Sequence, residues 1–299
     1  MSLGDIEVIL TTIFNNNIKQ KTIKQAIRLE GRGLFTGEEV TLELLPAPIN
    51  FGIRFQRTDV ENAPTFNADL KAVQGTARCT IIGTSKATIQ TVEHLLSAVH
   101  AYQIDNLLIR VDGPEVPVAD GSALAFVQMI EKAGIQELSE EKESYALENP
   151  VYWTQEAVSL IALPDEHFRI SYTLHYPNSE ILKAQFFSFI LNAKSYKEQI
   201  APCRTFSLYE EIKPLLDNQM LRGGGLNNAV LIKDEKVMNP EGLRFQEEMA
   251  RHKILDLIGD LSLIRKKFNA HIIAIRSGHS SNISFAKKLN DALKQVALV

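Results

Sequence analysis

Residues 250–261 read ARHKILDLIGDL, and this stretch sets three polar side chains into an otherwise apolar pattern. His252, Asp256 and Asp260 follow one another at four-residue intervals. On an α-helix such residues lie one turn above each other, so the three side chains share one face. The leucines and isoleucines between them indicate a helix packed against a core. Because a buried imidazole or carboxylate is costly unless paired, this face predicts a metal, a substrate or an ion pair.

The composition limits the classes of partner. A chain of 299 residues, 45% hydrophobic and 23% charged, is ordinary for a globular protein and predicts about two domains. The 32 basic and 36 acidic residues give a net charge of -4, and no Lys/Arg cluster would follow a phosphate backbone, so we expect no nucleic-acid partner. No run of about 18 apolar residues is present, which argues against a membrane-spanning helix.

The cysteines and the N-terminal stretch indicate the compartment. Cys79 and Cys203 are far apart and form no Cys-x-x-Cys motif, which favours a reducing environment. Asp5 and Glu7 stand where a signal peptide would carry Lys or Arg. We therefore expect a cytoplasmic protein, with residues 1–18 as a poorly ordered extension rather than a targeting segment.

The chain reads as two halves with the same order of elements. In residues 19–136, strand-like runs lead to a helix that carries a histidine, then to a strand, then to an amphipathic helix. Residues 150–299 repeat this order. Residues 137–149 are charged and lack a sustained apolar period, which predicts a linker. The sequence thus predicts an α+β protein of two domains with similar topology, each a β-sheet packed with helices.

His252 and Asp256 form a His-x-x-x-Asp pair that suits two ligands of one cation, although a buried His–Asp hydrogen bond explains the spacing equally well. A catalytic zinc usually takes three protein ligands plus water, so a third ligand would come from elsewhere. His94 is the best candidate, and Glu93 beside it could act as a base on that water. An acid in the first turn of a helix is also explained by the helix macrodipole.

Two glycine-containing stretches are candidates for function. Gly223–Gly225 in LRGGGLNNAV carry an entropic cost unless the chain needs positive φ or close approach to a ligand, and a flexible loop is the alternative. His279 in RSGH follows a predicted strand, where loop residues often act, although an exposed turn histidine fits equally well. The remaining histidines are expected at the surface or satisfied in the core: His100, His167, His175 and His271.

Several motifs occur in a fixed order along the chain: TVEHLLSAV, IDNLLIRVDGPEVPVADGSALAF, APCRTF, GLRFQEEMARHKILDLIGDL and RSGH. In this order they resemble the zinc-dependent UDP-3-O-acyl-N-acetylglucosamine deacetylases of lipid A biosynthesis. The resemblance covers nearly the whole chain from about residue 19. It implies a β-α-α-β sandwich with the active site between the domains. It also implies metal-assisted hydrolysis of an N-acetyl group, giving acetate and a 2-amino sugar nucleotide, in a Gram-negative cytoplasm.

The resemblance further implies a role for individual residues. Zn²⁺ is the expected ion, and Fe²⁺ is an alternative because two imidazoles and a carboxylate suit both. By position, the implied residues are His94, His252 and Asp256 as metal ligands, Glu93 as general base, His279 as a protonated acid supported by Asp260, Thr205 as a donor to the oxyanion, and Phe206, Lys253 and Gly224 along the substrate pocket.

An insert in the second domain of that family forms a hydrophobic passage for the 3-O-acyl chain. We expect it at residues 181–200, whose apolar side chains include Phe186, Phe187 and Phe189, with a core strand as the alternative. Arg78 differs from the bulkier apolar residues expected near that passage.

The expected partner is an acylated UDP-amino sugar bound by a monomer. The alternatives are a module whose metal only joins the two domains, and a related metal-dependent hydrolase of another nucleotide sugar.

Overall fold

The computed structural model describes residues 18–62 and 64–296, so the prediction for residues 1–18 lies outside the described chain except at Ile18. The strands are β1 (Lys19–Ile23), β2 (Ile27–Arg32), β3 (Glu39–Pro46), β4 (Ile53–Arg57), β5 (Phe66–Asn67), β6 (Val73–Gly75), β7 (Ile81–Gly83), β8 (Thr88–Ile89), β9 (Leu107–Val111), β10 (Ile135–Glu141), β11 (Tyr145–Ala146), β12 (Val151–Gln155), β13 (Val158–Leu163), β14 (Phe168–Leu174), β15 (Gln185–Ile190), β16 (Phe206–Leu208), β17 (Val230–Lys233), β18 (Lys236–Val237), β19 (Ala270–Ile275) and β20 (Lys294–Gln295). The helices are α1 (Glu93–Ala101), α2 (Leu124–Ala133), α3 (Ala193–Gln199), α4 (Tyr209–Asp217), α5 (Glu248–Ser262) and α6 (His279–Ala292).

Two five-stranded sheets repeat one topology. Their strand orders are β2-β3-β9-β4-β5 and β12-β13-β19-β14-β15. In each sheet the central strand, β9 or β19, runs antiparallel to one neighbour and parallel to the other. The prediction of two α+β units with similar topology is confirmed.

The helices form the two inner layers. α1 packs on α2 and on α5, while α5 also packs on α6 and on strands β14 and β15. α2 covers β2, and α6 covers β12 and β13. The order of layers is therefore sheet, helices, helices, sheet, which confirms the predicted β-α-α-β sandwich. None of the helices in the described ranges is both long and apolar enough to cross a bilayer.

Gly259 allows a close approach between the two central helices. A Cβ atom there would lie 2.2 Å from the carbonyl oxygen of Glu93, so only glycine lets α5 come this near to α1. Leu255 and Ile258, on the same helix, are fully buried. The glycine in DLIGDL therefore sets the distance between the polar face of α5 and the first turn of α1.

Residues 137–149, predicted as a linker, contain paired strands. β10 extends to Glu141 and pairs with β1, and β11 pairs with β20. The sequence did not indicate these strands because they are short or largely exposed and lack apolar alternation. The division into domains at this stretch stays a prediction.

Candidate active site

The first turn of α1 delivers two buried polar side chains. Glu93 and His94 begin the helix and are 3% and 5% exposed. The backbone N–H of Thr80 donates to Glu93 Oε2 at 3.0 Å, while Oε1 lies 3.7 Å from Nε2 of His279. One carboxylate oxygen is thus fixed, and the other faces a second functional group.

The three polar side chains of α5 share one face, as the four-residue spacing predicts, and this face meets the first turn of α1. His252, Asp256 and Asp260 are all buried. Asp256 Oδ1 lies 3.5 Å from His252 Nε2 and 3.7 Å from His94 Nε2. Ligand atoms about 2.1 Å from an ion in tetrahedral geometry lie about 3.4 Å apart, so these three atoms fit one cation.

The surroundings of the three groups also fit a metal. His252 Nδ1 donates to the carbonyl oxygen of Cys203 at 3.1 Å, which leaves the Nε2 lone pair free for an ion. The Lys253 ammonium lies 2.8 Å from Asp256 Oδ2, which turns Oδ1 towards the imidazoles. Burial lowers the pKa of His252 to about 3, so this ring is neutral, as a ligand must be.

The His279 ring stands beside the three ligand groups and is held by Asp260. Nδ1 donates to Asp260 Oδ2 at 2.9 Å, and Asp260 also accepts from the Thr80 hydroxyl and the Asn282 amide. Burial disfavours the charged ring, but Asp260 and two further carboxylates outweigh it and raise the pKa of His279 to about 10. His279 is therefore a cation at neutral pH, with Nε2 directed at Glu93.

Glu93 is poised to exchange a proton near neutrality. Burial raises the pKa of this carboxyl to about 7, against the opposing charge of His279. The same environment lowers the pKa of Asp256, where Lys253 and the histidines outweigh burial. The two carboxyl groups therefore differ in protonation: Asp256 stays ionised, while Glu93 can take up and release a proton.

These groups line a cavity of about 330 Å³ between the two halves of the chain. Nine of the ten predicted residues line it, namely Glu93, His94, Thr205, Phe206, Gly224, His252, Lys253, Asp256 and His279. The tenth, Asp260, lies behind His279. Arg78, which adopts a left-handed conformation at φ 68°, also borders the cavity.

Residues 181–200, where the acyl passage is expected, do not border this cavity. Within the described chain none of these residues lines the cavity, and Gln185–Ile190 form the edge strand β15 with Phe186 exposed. A strand is therefore observed at Gln185–Ile190, as in the alternative, but it lies at the edge of the sheet and only its Phe189 is buried. The apolar end of the cavity is formed instead by α4 and its flanks, with Ile212, Leu215, Leu216, Leu221, Leu226 and Leu231. The Ile-x-x-Leu-Leu pattern after APCRTF was the signal for this amphipathic helix.

The triple glycine allows a close approach between two loops of the chain. A Cβ atom on Gly223 would lie 2.0 Å from the carbonyl oxygen of Gly33. The backbone N–H groups of Arg222 and Gly223 donate to the carbonyls of Phe35 and Leu34 at 3.1 and 3.0 Å. The glycines therefore serve a close approach rather than a flexible loop, but they approach the loop at Gly33 and Leu34 instead of a ligand.

A buried ion pair fixes the segment that carries Thr205, and sequence reasoning missed it. Arg204 is 1% exposed, and its Nε lies 2.9 Å from Oε1 of Glu248, the first residue of α5. Thr205 itself is held through its backbone by Gly121 and Val230. Arg204 and Glu248 are 44 positions apart in the sequence, which explains why no local pattern indicated the pair.

Comparison with known proteins finds relatives over nearly the whole chain. The family model described as LpxC, UDP-3-O-acyl N-acetylglycosamine deacetylase, matches residues 20–291. The UDP-3-O-acyl-N-acetylglucosamine deacetylase of Chlamydia pneumoniae is 44% identical over 279 residues, which cover 92% of this chain and 98% of that protein. Its counterparts in Chlamydia caviae and Chlamydia felis are 43% and 42% identical over 277 residues, again covering 92% of this chain and 98% of each protein.

Proposed function

The chain belongs to the UDP-3-O-acyl-N-acetylglucosamine deacetylase family and is a metal-dependent deacetylase of lipid A biosynthesis, and we propose that Glu93 and His279 move the protons of that reaction. The observation that carries the assignment is the convergence of two acid–base groups with three ligand groups in one cavity. His94, His252 and Asp256 would hold Zn²⁺. Fe²⁺ is the alternative, because it also binds two imidazoles and a carboxylate. The bound cation supplies Lewis acidity to the acetyl carbonyl and to the attacking water.

Glu93 acts as the general base. Its free oxygen, Oε1, accepts the proton of the water that attacks the acetyl carbonyl carbon, while Thr80 keeps Oε2 in place. The raised pKa matches this task, since a base is most effective near the working pH. The Thr205 hydroxyl donates to the developing oxyanion, a contribution typically worth about 3 to 4 kcal/mol.

His279 acts as the general acid. Its Nε2–H gives a proton to the amide nitrogen as the C–N bond breaks, which releases acetate and the 2-amino sugar nucleotide. Asp260 holds the ring through Nδ1, so that the proton to be transferred is on the nitrogen facing the cavity. Lys253 lies 5.6 Å from the centre of the Phe206 ring, and both side chains border the space for the sugar nucleotide.

The apolar end of the cavity would receive the 3-O-acyl chain. Its leucine and isoleucine side chains lie on α4 and on the loops that flank it, next to the reacting groups. The whole site belongs to one chain, which supports a monomer as the active unit. Cys79 and Cys203 are both buried free thiols, which supports action in the reducing cytoplasm.

Acetate release from a UDP-3-O-acyl-N-acetylglucosamine tests the proposal. Protein stripped of metal should lose activity, and one equivalent of Zn²⁺ should restore it. Glu93→Gln should retain the ion and lose most turnover, whereas the exposed control Glu198→Gln should behave as wild type. Zinc binding without acetate release would support the proposed metal site but contradict the proposed substrate, and would favour another nucleotide sugar as the substrate. Full turnover by Glu93→Gln would remove Glu93 as the base.

A further inference from the structure

The loop of residues 33–37 forms one wall of the apolar cavity. Leu34 and Phe35 line the cavity, and their carbonyls accept the backbone hydrogen bonds from the glycine loop that follows α4. An acyl chain in this space would therefore touch the 33–37 loop directly. The residues that hold this loop in place therefore determine which other parts of the site respond to acyl-chain binding.

The loop is held by one buried carboxylate, Glu115, which is 1% exposed. It accepts hydrogen bonds from the backbone N–H groups of Phe35 and Thr36, at 3.0 and 2.9 Å, and from the Thr36 hydroxyl at 2.9 Å. A Cβ atom on Gly33 would lie 2.3 Å from Glu115 Oε2, so the glycine makes room for the acid. A buried carboxylate needs such donors, because its desolvation is otherwise uncompensated.

The same carboxylate reaches the segment that leads into α1. The Thr91 hydroxyl donates to Glu115 Oε1 at 3.1 Å. Thr91 adopts φ 60°, an unusual left-handed conformation for a β-branched residue, two positions before Glu93. Gln90 forms backbone hydrogen bonds with both Pro114 and Val116, and these bonds keep Glu115 beside Thr91. Strained residues persist only when their surroundings fix them, and here Glu115 is part of that support.

We propose that Glu115 is a positioning residue that couples the acyl-contacting loop 33–37 to Thr91 and thereby to the general base Glu93. An acyl chain packed against Leu34 and Phe35 then favours the productive position of the base. Binding energy from this remote part of the substrate appears in kcat rather than only in KM. The inference rests on the proposed deacetylase function and adds to it a route by which acyl-chain binding would accelerate the chemical step.

The experiment compares kcat and KM for two substrates, the 3-O-acylated UDP-N-acetylglucosamine and the same nucleotide sugar with a free 3-hydroxyl. Thr36→Val and Thr91→Val each remove one hydroxyl from Glu115, and Thr36→Ser and Thr91→Ser are the matched variants that keep it. Glu115→Gln removes the charge itself. Thermal unfolding of every variant shows which of them are folded, so the threonine variants remain informative if Glu115→Gln fails to fold.

We expect wild type to show a higher kcat with the acylated substrate. The ratio of the two kcat values should fall about tenfold in both valine variants, a change of about 1.4 kcal/mol, and should be kept in both serine variants. A kcat that falls equally for both substrates in the valine variants would indicate a merely structural role and overturn the coupling. Equal kcat values for the two substrates in the wild type would also overturn it. Wild-type protein that releases no acetate from the acylated substrate would instead refute the proposed function.

Discussion

Gly259→Ala is the sharpest test of how the helices set the site. The added methyl group would lie 2.2 Å from the Glu93 carbonyl oxygen and 2.8 Å from its Cα. An ordinary contact begins at 3.4 Å, so α1 and α5 must separate locally by about 1.2 Å. The atoms displaced are the backbone of the proposed base itself.

The expected loss of activity is larger than the loss of stability. Misplacing catalytic groups by about 1 Å costs about 100-fold in rate, so kcat for acetate release should fall by about two orders of magnitude. Overpacking costs about 1 to 3 kcal/mol, but alanine is favoured over glycine in a helix by about 1 kcal/mol. The net change in the free energy of unfolding should therefore stay within about 2 kcal/mol.

Steady-state acetate release, bound-metal content and urea unfolding together separate these effects. Gly75→Ala is the control, because the nearest atom to its Cβ is Cδ1, at the end of the flexible Ile81 side chain, at 3.3 Å. Activity of Gly259→Ala within threefold of wild type would refute the reasoning. It would mean that the helices can separate without moving Glu93 relative to Asp256.

Three further predictions concern other parts of the site. Asp260→Asn removes the largest of the charges that raise the pKa of His279, so the alkaline limb of the pH–kcat profile should move to lower pH; an unmoved limb would assign it to another group. Arg204→Met leaves Glu248 buried without its cation and should lower the free energy of unfolding in urea by about 3 to 5 kcal/mol, with a smaller loss when Glu248→Gln is added. Ile212→Trp narrows the apolar end of the cavity, so KM should rise more for a long acyl chain than for a short one; equal changes would place the chain elsewhere.

The sequence predicted those parts of the site that depend on local spacing. His252, Asp256 and Asp260 share a face because a single helix carries them, and the repeated order of elements gave the two-unit fold. The hydrogen bond from Thr80 to Asp260 spans 180 residues, so no periodicity could indicate it. Two apolar segments were candidates for contact with the acyl chain, and sequence spacing alone could not show that Gln185–Ile190 forms an edge strand away from the cavity while Ile212 lies on a helix beside it.

The ligand groups of the proposed metal come from both halves of the chain, one from α1 and two from α5. An unfolded chain holds His94 far from His252 and Asp256, so the complete set of ligand groups exists only in the native state and the ion binds that state more tightly. Its binding then adds to the folding equilibrium, by about 2.7 kcal/mol when free metal exceeds the dissociation constant 100-fold. Supply of the proposed metal would therefore govern abundance as well as activity, because in metal-poor conditions more of the chain is unfolded and open to proteases.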